Sequence, residues 1–151
     1  MCADEPPPAA DIKRRRLIQA GLAMTIPGAA FAQSSAAPRV TCAAGEFEGL
    51  AENGVQVFRG IRYGIDTAQT RFRAPLPAVR ANGVVRAVQA GPACPQRSST
   101  AGPQSEDCLF LNIWIPTIDA RARRPVMVYI HGGAYSTGSG SHPLYDGVNL
   151  A

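Results

Sequence analysis

A glycine-containing turn directly after an apolar run is the part of this sequence best suited to chemistry. Residues 126–130 are apolar at every position, and His131, Gly132, Gly133 and Ala134 follow them. A sharp turn that aims backbone N–H groups inward needs residues without bulky side chains, and these glycines and alanine meet that need. N–H groups aimed at one point stabilise a developing negative charge, each by about 3 kcal/mol in known enzymes. The stretch therefore predicts an anion-stabilising loop of a catalytic site.

A catalytic loop of this kind acts together with a nucleophile. Ser136, Ser139 and Ser141 lie just beyond the turn, but none of them has glycines two residues away on both sides. The Gly-x-Ser-x-Gly spacing of a nucleophile elbow is absent from all 151 residues. The second histidine, His142, has nothing nearby in the sequence to orient it, so we expect it at the surface.

The overall composition is that of a small domain rich in turns. Hydrophobic residues make up 46% of the chain and charged residues 17%, which supports a core and disfavours disorder. The 15 glycines and 13 prolines disfavour a helix bundle. The net charge is +4, but four of the 15 basic residues form one run at residues 13–16, and the others are scattered. Without a basic stripe interleaved with aromatic residues, we expect no nucleic-acid partner.

The first 32 residues have the three parts of an export signal. A basic run that contains Arg14 and Arg15 precedes an apolar stretch at residues 17–30, which is too short to span a bilayer. A small-x-small pattern then predicts cleavage between Ala32 and Gln33. The paired arginines and the modest hydrophobicity resemble a twin-arginine signal. The alternative is an N-terminal helix of the fold, but the apolar stretch has no polar face, which favours the signal.

Residues 1–32 are therefore predicted to direct the protein to the twin-arginine export machinery. We expect it in the periplasm or outside the cell, with no stable membrane anchor. Cys2 precedes the apolar stretch instead of following it, which argues against a lipoprotein. Residues 33–39 are small and polar and are interpreted as a linker, so the folded domain is expected at residues 40–151.

Strands and loops account for nearly all of the predicted domain. Asn53-Gly54 favours a two-residue hairpin turn, since both residues tolerate positive φ, and it separates strands predicted at residues 46–50 and 55–61. No internal repeat or long amphipathic helix is present. Three further strands are predicted at residues 83–91, 108–115 and 126–130. The last of them is apolar throughout, as strands buried on both faces are.

Three cysteines, Cys42, Cys94 and Cys108, remain after the predicted signal is removed. In an exported protein a disulfide is favoured. Cys94 and Cys108 bracket a loop rich in Gly, Ser and Pro, whose closure would contribute about 3 kcal/mol in the chain-entropy model. Cys42 is then free or paired elsewhere. A zinc site is the rival interpretation, but the chain has no CxxC spacing and only two histidines.

Six short motifs, in order along residues 40–151, resemble the type-B carboxylesterase family of α/β-hydrolases. They are GVQVFRGIRYG, TRFRAP, GPACPQ, SEDCLFLNIWIP, HGGAY and YDGVNLA. The resemblance implies an α/β fold class, in which this chain is the N-terminal, mostly β portion with the hairpin and the first strands of the central sheet. It also implies a secreted serine hydrolase of carboxylic esters that needs no cofactor.

The resemblance implies roles for individual residues. The backbone N–H groups of Gly133 and Ala134 would form an oxyanion hole for the tetrahedral intermediate, with Ala134 in the place of a third glycine found in many members. His131 would brace this loop and not act as the base. Arg71 and Glu106 would form a buried structural ion pair, whose disruption costs about 3–5 kcal/mol when burial is deep.

The same resemblance assigns the family's early disulfide to Cys94 and Cys108. It also shows where this chain departs from the family pattern. Arg62 replaces a proline and Gly64 an alanine, and the segment that leads to Arg71 is about one residue shorter. We therefore expect a different local loop shape in this region.

The resemblance further implies that the sequence stops before the nucleophile elbow, the catalytic acid and the catalytic histidine. We therefore expect the N-terminal piece of a longer hydrolase, which by itself is inactive and folds poorly. The alternative is a fragment of a non-catalytic binding or adhesion protein of the same fold. The oxyanion loop favours the enzyme, but no feature of the sequence identifies the ester.

Overall fold

The computed structural model describes residues 36–97 and 102–151. The predicted export signal at residues 1–32, its cleavage site between Ala32 and Gln33, and the first part of the predicted linker lie outside the described residues. The first described strand begins at Arg39, the last residue of that linker. Within the described ranges no helix has the length and apolar character needed to cross a bilayer.

The described residues form two small sheets of three strands each. The elements are β1 (Arg39–Cys42), β2 (Gly45–Glu48), β3 (Leu50–Glu52), β4 (Val55–Arg62), β5 (Val84–Arg86), β6 (Phe110–Ile115) and a 3₁₀ turn (Pro143–Tyr145). The first sheet has the order β1-β2-β5, in which the central β2 pairs antiparallel with β1 and parallel with β5. The second has the order β3-β4-β6, and both of its pairings are antiparallel.

The hairpin predicted at Asn53-Gly54 is present between β3 and β4. Glu52 pairs with Val55, so the connection has two residues, and their φ angles are 49° and 83°. Positive φ at both central positions matches the twist of the flanking strands. The hairpin prediction is confirmed.

The strand predicted at residues 46–50 is wrong in one respect, because it is broken at Gly49 into β2 and β3. A side chain at Gly49 would overlap the Val57 carbonyl and the Phe58 ring. The glycine thus lets the chain pass against β4, and its N–H donates to the Pro38 carbonyl at 2.8 Å instead of continuing a ladder. The two halves consequently belong to different sheets.

Strand β4 is the longest strand and the centre of the second sheet. Its pairing with β6 shifts register between Phe58 and Ile61, which marks a bulge. Phe58 and Ile61 pack with Phe47 of β2 and with Ala87, so one small apolar cluster joins the two sheets. Strands were predicted at residues 83–91 and 108–115, and the observed β5 and β6 are shorter.

Residues 126–130 form no strand, so the prediction of a strand buried on both faces is wrong for this structure. The five side chains are between 64% and 85% exposed. A strand that is apolar on both faces is stable only when neighbouring strands take its backbone groups and other layers cover its side chains. Within the described part of the chain, no backbone segment pairs with these residues.

Candidate oxyanion loop

The turn after residue 130 has a backbone that few sequences can adopt. Gly133 has a φ of 141°, and a Cβ atom there would overlap the Thr137 carbonyl oxygen. Ala134 and Tyr135 also have positive φ, at 50° and 59°. Positive φ is unfavourable for residues other than glycine, so two successive ones store backbone strain. Such strain concentrates at functional sites.

The loop folds back on itself through the Gly133 carbonyl. This oxygen accepts hydrogen bonds from the backbone N–H groups of Ser136 at 3.0 Å and Thr137 at 3.1 Å. Among the described residues, neither the Gly133 nor the Ala134 N–H donates a hydrogen bond. Gly133 is half-buried and Ala134 is exposed. The turn therefore leaves two consecutive N–H donors available to a ligand with negative charge.

Two side-chain amides from other segments hold the end of the loop. The Gln96 amide exchanges two hydrogen bonds with the backbone of Gly138, each 2.8 Å long. Asn112 of β6 donates to the Gly140 carbonyl at 3.2 Å and accepts from the Gly60 N–H at 3.0 Å. The sequence did not predict either amide as a site residue. The available signals were the glutamine of GPACPQ and a polar residue inside an otherwise apolar strand.

His131 contacts the loop and no catalytic partner within the described residues. Its Nδ1 lies 2.9 Å from the Gly132 carbonyl oxygen, and its ring stacks on Tyr145 at a centroid distance of 6.5 Å. His142 is exposed, and its Nδ1 accepts from the Leu144 N–H at 3.2 Å, which caps the 3₁₀ turn. Both histidines therefore have structural contacts.

The three serines beyond the turn bond to the loop itself. Ser139 is buried, and its Oγ lies 2.6 Å from the Oγ of Ser141. The Ser136 hydroxyl donates to the Gly133 carbonyl at 3.2 Å. In the part of the chain that the structure describes, none of these hydroxyls bonds to a histidine, which an activated nucleophile would require.

The structure brings Arg71 and Glu106 into direct contact. The Thr67 hydroxyl also donates to the Glu106 carbonyl at 2.7 Å. The Arg71 side chain is 57% exposed, however, so the expected burial of this pair is not found. Solvent screening at this exposure reduces the worth of such a pair to about 0–1 kcal/mol.

A second arginine, Arg62, binds the neighbouring carboxylate. Its guanidinium donates to both oxygens of Asp107 and lies 4.5 Å from the centroid of the Phe110 ring. The hydrogen bond from Arg62 lowers the pKa of Asp107. Arg62 is the residue at which the sequence departs from the family's proline, so this departure supplies an additional link between the end of β4 and the segment that leads into β6.

The acidic residue of the hairpin is paired in the same way. Arg59 donates to both oxygens of Glu52, at 2.6 and 2.8 Å, and the bond lowers the pKa of Glu52. The carboxylate of Asp146 lies 3.8 Å from the same guanidinium. Arg59 therefore connects the hairpin to the segment that follows the 3₁₀ turn.

The sulfur atoms of Cys94 and Cys108 lie 3.0 Å apart as thiols. Burial is the main reason that the pKa of the Cys108 thiol is raised to about 12. Cys42 is an exposed free thiol. The predicted disulfide stays a prediction. The described residues contain no cluster of three or more His, Cys, Asp or Glu that could hold a metal ion.

Comparison with known proteins decides the family. The model of the carboxylesterase family matches residues 36–151. The chain belongs to the carboxylesterase family. The family resemblance carried by the six motifs is therefore confirmed, and with it the fold class of the α/β-hydrolases.

Individual carboxylesterases are similar over the same part of the chain. The para-nitrobenzyl esterase of Bacillus subtilis is 44% identical over 120 residues, which cover 74% of this chain and 24% of that protein. The phenmedipham hydrolase of Pseudarthrobacter oxydans is 41% identical over 113 residues, which cover 68% of this chain and 23% of that protein. This carboxylesterase chain thus spans about a quarter of the length of these curated relatives.

A solved structure gives the same result for the fold. The carboxylesterase of Geobacillus stearothermophilus superposes with a TM-score of 0.68 at 41% identity. The superposition covers 75% of this chain and 23% of that one. Three quarters of this chain therefore have the fold of a part of that carboxylesterase.

Proposed function

We propose that this protein takes part in the hydrolysis of carboxylic esters, with the N–H groups of Gly133 and Ala134 as oxyanion donors. The observation that carries the proposal is the pair of unbonded N–H groups at a strained glycine turn, in a chain of the carboxylesterase family. Within the described residues the N–H groups of Ser136, Thr137 and Gly138 are hydrogen-bonded, whereas those of Gly133 and Ala134 remain available to a ligand.

The proposed chemistry needs those donors at one step. Attack on the ester carbonyl converts its oxygen into an anion, and preorganised N–H groups stabilise that anion more than the neutral carbonyl. A proton on Nδ1 of His131 would donate to the Gly132 carbonyl at 2.9 Å and so fix the peptide that precedes Gly133. The 151 residues hold no Gly-x-Ser-x-Gly, so we propose that they provide oxyanion stabilisation and not the nucleophile.

Esters of aromatic alcohols are suitable test substrates, because the relative from Bacillus subtilis is named a para-nitrobenzyl esterase. The assay uses a chimera in which residues 36–151 replace the matching segment of that enzyme. Lactic acid, the α-hydroxy analogue of alanine, is incorporated at position 134 by nonsense suppression, which replaces only the N–H by an ester oxygen. We expect kcat to fall about 100- to 1,000-fold with little change in KM.

The matched control is the same replacement at Ala120, which is exposed and whose N–H also has no hydrogen-bond partner among the described residues. That chimera should keep its full kcat. An unchanged kcat with lactate at position 134 rejects the proposed donors. A folded chimera that does not hydrolyse the ester at all rejects the proposed function.

We also propose that residues 1–32 direct export through the twin-arginine machinery. The support is sequence alone: Arg14 and Arg15 before an apolar stretch, and the small residues before Gln33. A fusion of residues 1–40 to a reporter protein should appear in the periplasm of a bacterial host. The replacement of both arginines by lysine should abolish export, whereas Lys13→Arg should not. Export of the double variant would contradict the twin-arginine route.

A further inference from the structure

We propose that Gln96 is a positioning residue for the oxyanion loop, a role that rests on the function proposed above for Gly133 and Ala134. Gln96 comes from the segment that follows Cys94, far from the loop in sequence. Its side chain is nevertheless the polar group that reaches Gly138, the residue at the end of the turn.

The contact between Gln96 and Gly138 uses both ends of the amide. The Nε2 donates to the Gly138 carbonyl and the Oε1 accepts from the Gly138 N–H, each at 2.8 Å. A primary amide offers a donor and an acceptor side by side, and here they match the C=O and N–H of one residue. The side chain thus supplies hydrogen-bond partners for both backbone polar groups of Gly138.

Gln96 is itself held in one orientation. The second hydrogen of Nε2 points to the Cys94 carbonyl at 3.1 Å, and the Gln96 N–H donates to Oε1 of Gln104 at 2.8 Å. Because Nε2 faces two carbonyl oxygens and Oε1 faces an N–H, the opposite amide orientation would set oxygen against oxygen. The glutamine is therefore a fixed support and not a side chain that adapts to the loop.

Gly138 passes the constraint to the proposed donors by direct packing. Its φ is 113°, and a Cβ atom there would overlap the Gly132 carbonyl oxygen and lie 2.7 Å from Nδ1 of His131. Gly132 is the residue whose peptide carries the Gly133 N–H. A shift of Gly138 away from Gln96 must therefore move or release that peptide plane, and with it the direction of the donor.

The test uses the full 151-residue chain labelled with ¹⁵N and needs no turnover. In Gln96→Ala, we expect exchange of the Gly138 N–H to rise at least tenfold and the Gly133 and Ala134 amide resonances to move. The amides of the β3-β4-β6 sheet should keep their exchange rates. The matched control is Gln69→Ala, because Gln69 is exposed and its side chain makes no hydrogen bond within the described residues, and it should change none of these signals.

Gln96→Glu is the second test, for use if the Gln96→Ala variant does not fold. A carboxylate keeps the acceptor for the Gly138 N–H but presents oxygen to the carbonyls of Gly138 and Cys94. Protonation restores one donor, so the Gly133 and Ala134 resonances should return toward their wild-type positions at acidic pH. The positioning role is overturned if the Gly133 and Ala134 amide signals stay at wild-type positions in either folded variant. It is also overturned if these signals show no reversal with pH in Gln96→Glu. An unchanged kcat with lactate at position 134 would instead reject the proposed donors. It would not alter the amide signals by which the role of Gln96 is judged.

Discussion

At the scale of single residues, the two glycines of the turn differ in whether the structure has room for a side chain. Gly132 and Gly133 are adjacent and chemically identical, yet their surroundings differ. A Cβ at Gly133 would overlap the Thr137 carbonyl, and its φ of 141° is unfavourable to any side chain. A Cβ at Gly132 would meet nothing within 4 Å. The sequence pattern His-Gly-Gly-Ala does not distinguish the two glycines, whereas the structure does.

Gly133→Ala should destabilise the chain by about 1–3 kcal/mol, because the new methyl group cannot fit without backbone movement. Gly132→Ala should change the free energy of unfolding by less than about 0.5 kcal/mol. Urea unfolding followed by circular dichroism measures both variants. Equal effects of the two substitutions would contradict the described backbone of the turn.

The paired carboxylates of Glu52 and Asp107 predict a stability loss in acid. Both pKa values are lowered in the folded chain by hydrogen bonds from arginine. A lowered folded-state pKa gives stability that is present above the unfolded pKa and is lost as the pH falls through the folded value. The urea midpoint should therefore fall as the pH goes below about 4. In Glu52→Gln/Asp107→Asn the dependence should be shallower, and an unchanged slope would argue against these pairs in solution.

At the scale of elements, local pattern predicted turns well and strand limits less well. Asn53-Gly54 specified its own hairpin because the demand for positive φ lies within the two residues. Gly49 broke a predicted strand because of what lies against it, namely Val57 and Phe58 of β4. The glycine turn combines both cases: its residue types predict the turn, but the anchors at Gln96 and Asn112 come from distant segments.

The loop between Cys94 and Cys108 gives a prediction at this scale. Oxidation of the two thiols should stabilise the chain by about 3 kcal/mol, because the cross-link restricts the unfolded state. Mass spectrometry after alkylation, with urea unfolding of both redox forms, measures the bond and its effect. Cys42→Ala should leave the difference unchanged. Reduction that has no effect on the urea midpoint would show that this closure contributes nothing to stability.

At the scale of the whole molecule, the described residues have a small buried core and many large apolar side chains that are exposed. The cluster around Phe47, Phe58 and Ile61 joins the two sheets. Residues 126–130 lie outside it, with five consecutive apolar side chains exposed and no paired backbone within the described part of the chain. Contiguous exposed apolar segments of high β propensity favour association between molecules.

Val128→Lys should therefore reduce self-association, because a charge at the centre of the segment opposes strand pairing between copies. Val79→Lys is the matched control, since Val79 is 81% exposed but stands in an irregular segment. Sedimentation velocity over a range of concentrations compares the two variants with the unmodified chain. If Val128→Lys and Val79→Lys reduce self-association equally, the net charge of the chain controls self-association and this segment does not.

The sequence by itself determined the family, the hairpin and the position of the glycine turn, because each of these depends on residue types within a few positions of one another. The tertiary structure decided which atoms hold that turn: the amides of Gln96 and Asn112 and the contact of Gly138 with Gly132. It also brought Arg62 against Asp107. Exposure was likewise decided by the tertiary structure: residues 126–130 are exposed, and so is more than half of the Arg71 side chain. Burial and pairing depend on which distant segments meet, and a local apolar or charged pattern does not specify its partner.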